Sequence, residues 1–252
     1  MRVCLKSVSV TAAMVLCVSP HAAGQTLAAA DALYARRDDP VAARQAAEHY
    51  LTHHRTAPQD FVGSWKLARM SYFLGTQGRD AERRMWLETG MAAAADAIAL
   101  NETRPEGHFW MAATMGALAE SYGLRQGLRY RTRIKQALER VLIIDPSYME
   151  GSADRALGRW YHKVPGLFGG SAARAEQHLR KALTYAPQSS VTLYFLGELY
   201  ETEGRPAEAR RLYQQVLETP VHKEYGPEDR LYKSRAQARL QALGRGRTTG
   251  RR

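Results

Sequence analysis

Cysteine is nearly absent from this 252-residue sequence, which contains only Cys4 and Cys17. Both lie in a first segment where Arg2 and Lys6 precede an apolar run and small residues follow. This order is typical of a secretory signal peptide, and the run is too short to span a bilayer. We therefore expect residues 1–24 to be removed. The mature protein would then lack disulfides, cysteine-based zinc sites and a cysteine nucleophile.

Sequence patterns of catalysis and metal binding are also lacking. There is no Gly-x-Ser-x-Gly elbow, and the acidic residues show no pairing that distinguishes acid/base chemistry from a helix surface. His49 and His53 are four apart, but no His-Glu-x-x-His pattern accompanies them. We expect no catalysis, no metal and no cofactor.

Basic residues exceed acidic ones, 36 against 25, for a formal net charge of +11. Nucleic acid is a rare partner for a secreted chain, so we do not expect it here. Anionic lipid, polysaccharide or a small acidic ligand is the better match, and simple solubility is the alternative.

The sequence does contain a repeated helical pair. Residues 193–220 follow the tetratricopeptide order, a helix-turn-helix of about 34 residues. The apolar positions of each helix fall on one stripe, and small residues let the two helices approach closely. The template positions are Leu193, Leu196, Gly197, Tyr200, Gly204, Ala209, Tyr213, Val216 and Pro220. One pair cannot bury its apolar face alone, so neighbouring pairs must stack on it.

Three earlier segments show the same order, at residues 157–187, at residues 110–146 and, more weakly, at residues 65–85. Two of these pairs contain enlarged turns, written "YHKVPGLFGG" and "YGLRQGLRYRTR". The predicted fold class is all-α, a tetratricopeptide-like helical-hairpin solenoid with about four helical pairs plus capping helices.

The ends of the chain fit a capped solenoid. A helical segment over residues 41–54 precedes the repeats, and a polar helix over residues 227–244 follows them. Beyond Gly244, residues 245–252 have no apolar anchor, which predicts a basic disordered tail. The helical-repeat domain is therefore predicted over residues 25–244.

Four stretches resemble the T-component proteins of tripartite ATP-independent periplasmic (TRAP) transporters: "WKLARMSYFLG", "EGHFWMAATMG", "ALERVLIIDPSY" and "RALGRWYHKVPGLFGGSAARAEQHLRKAL". The resemblance covers about residues 60 to 220, and its most specific part is Pro-Gly-x-Phe-Gly-Gly. It implies a periplasmic helical protein, often a homotrimer with a central pore. It also implies a solute-binding subunit as partner and a hydrophobic or acidic solute. Because Leu16 precedes Cys17, we expect no lipoprotein anchor.

One predicted helix carries a basic stripe. Arg155, Arg159 and Lys163 are spaced four apart, so they share a face, and His162 lies beside them. In tetratricopeptide proteins the corresponding face lines the concave groove, where such a stripe would attract carboxylate or phosphate. The alternative is a solvated face paired with acids of another repeat, such as Glu198.

The loop after this helix is unusually apolar. Leu167 and Phe168 should fill a gap in their own repeat; contact with a subunit, a partner or a membrane is the alternative. Gly169 and Gly170 lead into Ser171, which is typical of a helix N-cap, and an anion cradle is the alternative. No Gly-Lys-Ser/Thr follows, which excludes a nucleotide-binding loop.

Two further features have structural explanations. Trp110 lies where a first helix begins, a position more typical of the core than of a ligand platform. The basic run over residues 125–135 suits a solvated turn and helix start, with acidic lipid or an acidic partner as the alternative.

Together these features predict a non-catalytic periplasmic protein that binds a partner protein, with an acidic or amphipathic solute as a second ligand. The alternative is a general tetratricopeptide scaffold for cell-envelope proteins with no small-molecule site.

Overall fold

The computed structural model describes residues 20–249. Residues 1–19, most of the predicted signal peptide, and residues 250–252 of the predicted tail lie outside the described residues. Within the described range the chain is all-helical, as predicted. The helices are α1 (Pro20–Tyr34), α2 (Pro40–Thr56), α3 (Phe61–Gln77), α4 (Arg83–Leu100), α5 (Pro105–Ser121), α6 (Leu124–Ile144), α7 (Tyr148–Lys163), α8 (Ala172–Tyr185), α9 (Ser190–Thr202), α10 (Pro206–Glu218) and α11 (Gly226–Thr249).

The helices pack as consecutive antiparallel pairs. The pairs α3–α4, α5–α6, α7–α8 and α9–α10 are the four predicted repeats, and α1 packs on α2 as a further pair. Helix α11 packs on both α9 and α10 and covers the last repeat. Between residues 20 and 249, no helix is both long enough and apolar enough to cross a membrane.

Short polar side chains fix where several helices begin. Asp39 accepts a hydrogen bond from the Val41 amide at 2.9 Å, and Asp60 accepts one from the Val62 amide at the same distance. Ser189 caps α9 in the same way. Such caps satisfy backbone donors that the first turn leaves free, and each is worth about 1 kcal/mol.

Small residues allow the two helices of a repeat to touch. A Cβ atom on Gly197 would lie 2.7 Å from the Tyr213 ring, and one on Gly158 would lie 2.5 Å from Leu179 Cγ. Tyr213 and Leu179 are fully buried there. Each such large apolar side chain contributes about 1.5–3 kcal/mol on burial. This close approach confirms the stripe predicted for the last repeat.

Three element boundaries differ from the predicted ones. The stretch over residues 122–133 is not an enlarged turn, because α6 begins at Leu124 and buried Tyr130 and Ile134 continue its apolar stripe. In the first repeat Met85 is 52% exposed, and the buried stripe of α4 starts at Trp86. Helix α11 continues past Gly244 to Thr249.

The first turn of α7 has a left-handed backbone. Met149 has φ 45°, Glu150 has φ 57° and Gly151 has φ 72°. Left-handed conformations cost roughly 1–2 kcal/mol at residues with a Cβ atom. The regular part of α7 therefore begins after Gly151, on a strained turn.

Ion pairs join the two ends of the repeat array. Buried Arg37, after α1, donates hydrogen bonds to Glu228 of α11 at 2.7 and 3.3 Å and to the Glu224 carbonyl at 2.7 Å. Arg230 of α11 pairs with Asp38 at 2.7 Å. We call Arg37, Asp38, Glu228 and Arg230 the clasp. It holds the first and last elements together across the inner side of the array.

Candidate functional site

The inner side of the array encloses a cavity of about 1470 Å³, which we call the groove. The first helix of each central repeat contributes to its wall: Tyr72 from α3, Trp110 from α5, Arg155 from α7 and Phe195 from α9. Tyr232 of α11 lines the remaining side. The groove is therefore built by stacking, since no single repeat forms it.

Aromatic rings form much of the wall. Tyr72 and Trp110 have ring centroids 5.7 Å apart, and Phe195 and Tyr232 have centroids 5.5 Å apart. These separations are typical of stabilising ring contacts. Trp110 is only 5% exposed, so it belongs mainly to the core and presents an edge to the groove.

Arg159 is fully engaged by acids from the repeats on either side. Its guanidinium donates to Glu120 of α5 at 2.6 and 2.9 Å and to Glu198 of α9 at 2.8 Å. It also lies 4.3 Å from the Phe195 ring centroid. Burial acts to lower the pKa of Arg159, but the hydrogen bond and charge of Glu120 outweigh it and raise that pKa. Arg159 is thus a charge that the protein itself neutralises.

The rest of the basic stripe carries less free positive charge than predicted. Lys163 lies 3.6 Å from Glu198, which again matches the alternative of pairing between repeats. His162 Nε2 lies 3.1 Å from Thr202 Oγ1, and burial lowers the pKa of His162 to about 4. His162 is therefore neutral at ordinary pH and adds no charge, and it does not belong to the groove lining.

Arg155 is the exception on this helix. It is partly buried in the groove wall, and it has no hydrogen bond, ion pair or ring contact with any other residue in the range 20–249. Burial lowers the pKa of Arg155, and the electrostatic influences of Tyr225, Tyr232, Tyr72 and, more weakly, Glu150 oppose this only in part. Desolvation without a partner is costly for a guanidinium, so Arg155 is poised for an external anion.

The loop between α7 and α8 does not pack as predicted. Leu167 is 90% exposed, so the expectation that it fills a gap in its own repeat is wrong. Phe168 is 37% exposed and lies 5.7 Å from the Arg131 guanidinium, measured to the ring centroid. The cause is a 3-10 turn over Gly166–Phe168, closed by the Phe168 amide on the Pro165 carbonyl at 2.8 Å, which projects Leu167 outward.

The two glycines of this loop have structural roles. Gly169 has φ 103°, and a Cβ atom on Gly170 would overlap the Val164 carbonyl oxygen. Ser171 Oγ accepts from the Arg174 amide at 3.3 Å and caps α8, as predicted. Gly169 and Gly170 therefore shape the loop and do not line the groove.

Sequence reasoning missed the contribution of α11. Tyr232 lies in α11 and Tyr225 directly precedes it, and both line the groove. The seven-residue spacing of these two tyrosines is visible in the sequence, but the polar residues of the segment predict only a cap. Elsewhere, His53 Nε2 lies 2.7 Å from Asp60, and the described residues contain no group of three or more potential metal ligands.

Comparison with protein families gives two matches that together span most of the chain. Residues 26–168 match the family of Regulator of microtubule dynamics protein 1-3, and residues 169–225 match a tetratricopeptide repeat. Regulator of microtubule dynamics protein 3 of Xenopus laevis is 27% identical over 110 residues, which is 43% of this chain and 23% of that protein. The match thus spans under a quarter of the relative's length.

Solved structures agree on the fold. A thermophilic tetratricopeptide-repeat protein of Thermus thermophilus superposes with a TM-score of 0.65 and 22% identity, over 87% of this chain and 99% of that one. A MamA protein superposes with a TM-score of 0.50 and 16% identity, over 78% and 92%. At these identities the likeness shows the architecture alone.

The resemblance to T-component proteins of TRAP transporters is wrong. The family match over residues 26–168 includes three of the four stretches that suggested it and the start of the fourth. Those stretches are dominated by tetratricopeptide template positions, which helix packing dictates whatever the partner. The expectations of a solute-binding subunit as partner and of a trimer rested on that resemblance and are therefore unsupported.

Proposed function

Because this chain belongs to the family of Regulator of microtubule dynamics protein 1-3, and because it folds as a tetratricopeptide array, we propose that it is a non-catalytic adaptor. Its groove binds a segment of a partner protein. This proposal corresponds to the alternative prediction of a general tetratricopeptide scaffold and includes no role in a transporter.

The groove is the observation that supports this proposal. Its volume of about 1470 Å³ exceeds the ~300–1,000 Å³ of pockets that enclose small ligands. Its wall combines tyrosine, tryptophan and arginine side chains, the types enriched at protein interfaces. A volume of this size with such a wall suits an extended or helical segment of another chain.

The name of the Xenopus laevis relative concerns microtubule dynamics, and the match to it covers 43% of this chain. What we carry over is partner binding by that shared array, since the rest of the relative has no counterpart in the match. We also propose that the protein meets its partner in the periplasm, after export directed by residues 1–24. Fractionation of cells that express the full chain tests this location.

A selected peptide tests the groove as the binding site. Random twelve-residue peptides are selected on the full chain, and the affinity of a selected peptide is measured by fluorescence polarisation. Gly116 lines the groove, and a Cβ atom there meets no heavy atom within 4 Å. Gly116→Phe should therefore place a ring inside the groove and weaken binding at least about tenfold. The matched control is Ala207→Phe on exposed surface outside the groove.

Equal binding by wild type and Gly116→Phe would refute the groove as the site. Failure to select any peptide would refute the adaptor function itself.

A further inference from the structure

We propose that Arg155 is the anchor of the groove and binds one carboxylate of an acidic side chain in the partner segment. This inference rests on the proposed function and specifies the chemistry of the partner.

The repeat spacing explains why Arg155 lacks a partner within the chain. Arg159 pairs with Glu120 and Glu198, each 39 residues away along the sequence. The positions 39 residues before and after Arg155 are Gly116 and Tyr194, so neither neighbouring repeat offers an acid. The same helix face therefore presents one neutralised guanidinium and, one turn earlier, one unneutralised guanidinium.

Three of the four carboxylates that line the groove are already engaged. Glu228 accepts from Arg37, Glu120 accepts from Arg159, and Asp229 accepts from Ser190 and from the His222 amide. Glu150 has only a distant contact, 3.9 Å from His222. The groove therefore has more free donors than free acceptors, which favours a ligand rich in acceptors.

The tyrosines around Arg155 add to this donor surface. The hydroxyls of Tyr72, Tyr225 and Tyr232 form no hydrogen bond within the described part of the chain, and all three residues line the groove. A peptide backbone supplies carbonyl oxygens for such hydroxyls along its length. An acyl chain supplies none and would leave them unsatisfied.

A single carboxylate also matches the charge available. Arg159 and Lys163 are balanced by Glu120 and Glu198, so Arg155 is the cation of this helix face that is left without an ion pair. A planar guanidinium and a carboxylate form two parallel hydrogen bonds.

Backbone strain marks the same place independently. In the described chain, positive φ at residues other than glycine is found at Met149 and Glu150, and both line the groove at the start of α7. Such strain is retained where the surrounding structure over-determines the backbone, often at ligand sites. Here it fixes the helix turn that precedes Arg155.

Affinity measurements with two matched sets of variants test the anchor on the full chain. Each Asp or Glu of a selected peptide is replaced in turn by its amide, and the peptides are titrated against wild type, Arg155→Met and Arg155→Lys. One amide replacement should lower the affinity for wild type by about 10- to 100-fold. The same replacement should have no further effect on Arg155→Met, because the coupled pair is already broken. Arg155→Lys should retain part of the affinity.

A second set supplies the missing acid from within the chain. Gly116→Glu places a carboxylate 39 residues before Arg155, the offset that Glu120 has from Arg159. It should occupy Arg155 and weaken binding of the acidic peptide by at least about tenfold relative to Gly116→Gln, which adds similar bulk without charge.

The outcomes separate the anchor from the adaptor function. If Arg155→Met binds the acidic peptide as well as wild type does, while Gly116→Phe does not bind it, the anchor is refuted and groove binding stands. Selected peptides without any acidic residue also refute the anchor. The last outcome is competition by dodecyl phosphate against the labelled peptide. If dodecyl phosphate displaces it at lower concentrations than unlabelled acidic peptide does, Arg155 binds an amphiphile and the proposal is overturned.

Discussion

Replacing either arginine of α7 by methionine should change the stability of the protein in opposite directions. Arg155 and Arg159 lie one turn apart on the same groove-lining helix, and methionine preserves most of the aliphatic length of each. Arg159→Met removes three charged hydrogen bonds, which leaves Glu120 unpaired among the described residues and Glu198 with only Lys163 at 3.6 Å. Arg155→Met removes no hydrogen bond among the described residues and removes one poorly solvated charge.

The magnitudes follow from burial. Breaking a fully buried ion pair costs about 3–5 kcal/mol, but Glu120 is 46% exposed, so solvent screening reduces the expected cost of Arg159→Met to about 2 kcal/mol. Arg155→Met should instead stabilise the fold by about 1 kcal/mol, because it removes a partly desolvated charge that no ion pair compensates. In a chain of this length, 1 kcal/mol shifts the melting temperature by about 2–4 °C.

Urea unfolding followed by circular dichroism measures both variants, with the slope of the transition checked for constancy. The expected order of midpoints is Arg155→Met highest, wild type next and Arg159→Met lowest. If Arg155→Met lowers the midpoint as much as Arg159→Met does, Arg155 has a stabilising partner in the folded chain. The reasoning about an unpaired anchor would then be wrong.

Three further perturbations test separate features. Burial lowers the pKa of His162 to about 4 from an ordinary value of about 6.5, so the unfolded chain takes up this proton first as the pH falls. Stability should therefore decrease from about pH 6.5 towards pH 4. His162→Gln should remove about 2 kcal/mol of that loss, as measured by urea unfolding at pH 7 and pH 4.5. If wild type and His162→Gln lose the same stability between these two pH values, the prediction is wrong. Gly170→Ala should lower the melting temperature, because its Cβ would overlap the Val164 carbonyl oxygen. Gly166→Ala is the control and should not lower it, because the space around Gly166 is open. Equal melting temperatures for the two variants would exclude the overlap. Arg37→Gln should destabilise the protein by about 2 kcal/mol because it removes the buried guanidinium that donates to Glu228 and to the Glu224 carbonyl. An unchanged urea midpoint would show that the clasp adds nothing to stability.

The fold could be predicted from the sequence because its determinants repeat. Positions such as Gly197 and Tyr213 occur at fixed spacing in each pair, and close packing of two helices leaves few alternatives at those positions. Boundaries were predicted less well where a local glycine suggested a turn. Gly123 does interrupt the backbone with φ 81°, but the helix resumes at once because Tyr130 and Ile134 bury its continuation.

The site could be predicted only in part, because pairing across repeats depends on the register between them. The basic stripe was readable from the spacing of Arg155, Arg159 and Lys163 on one helix. Which of these charges the protein neutralises depends on the residues 39 positions away, and that offset became clear only from the stacked helices. The exposed position of Leu167 was hidden for a similar reason, since a 3-10 turn sets its direction and its hydrophobicity does not.

The clasp has a consequence for how this protein folds. In an ordinary repeat array each unit touches only its neighbours, so the ends fray first and folding spreads from any local nucleus. Arg37 and Glu228 are 191 residues apart in the sequence, and their contact links the two ends into a ring. Closing so long a loop lowers the chain entropy before the contact can contribute favourable free energy, and this slows folding. In the native state the ring protects both terminal helices, so amide exchange in α1 and α11 should slow toward the rate of the central repeats.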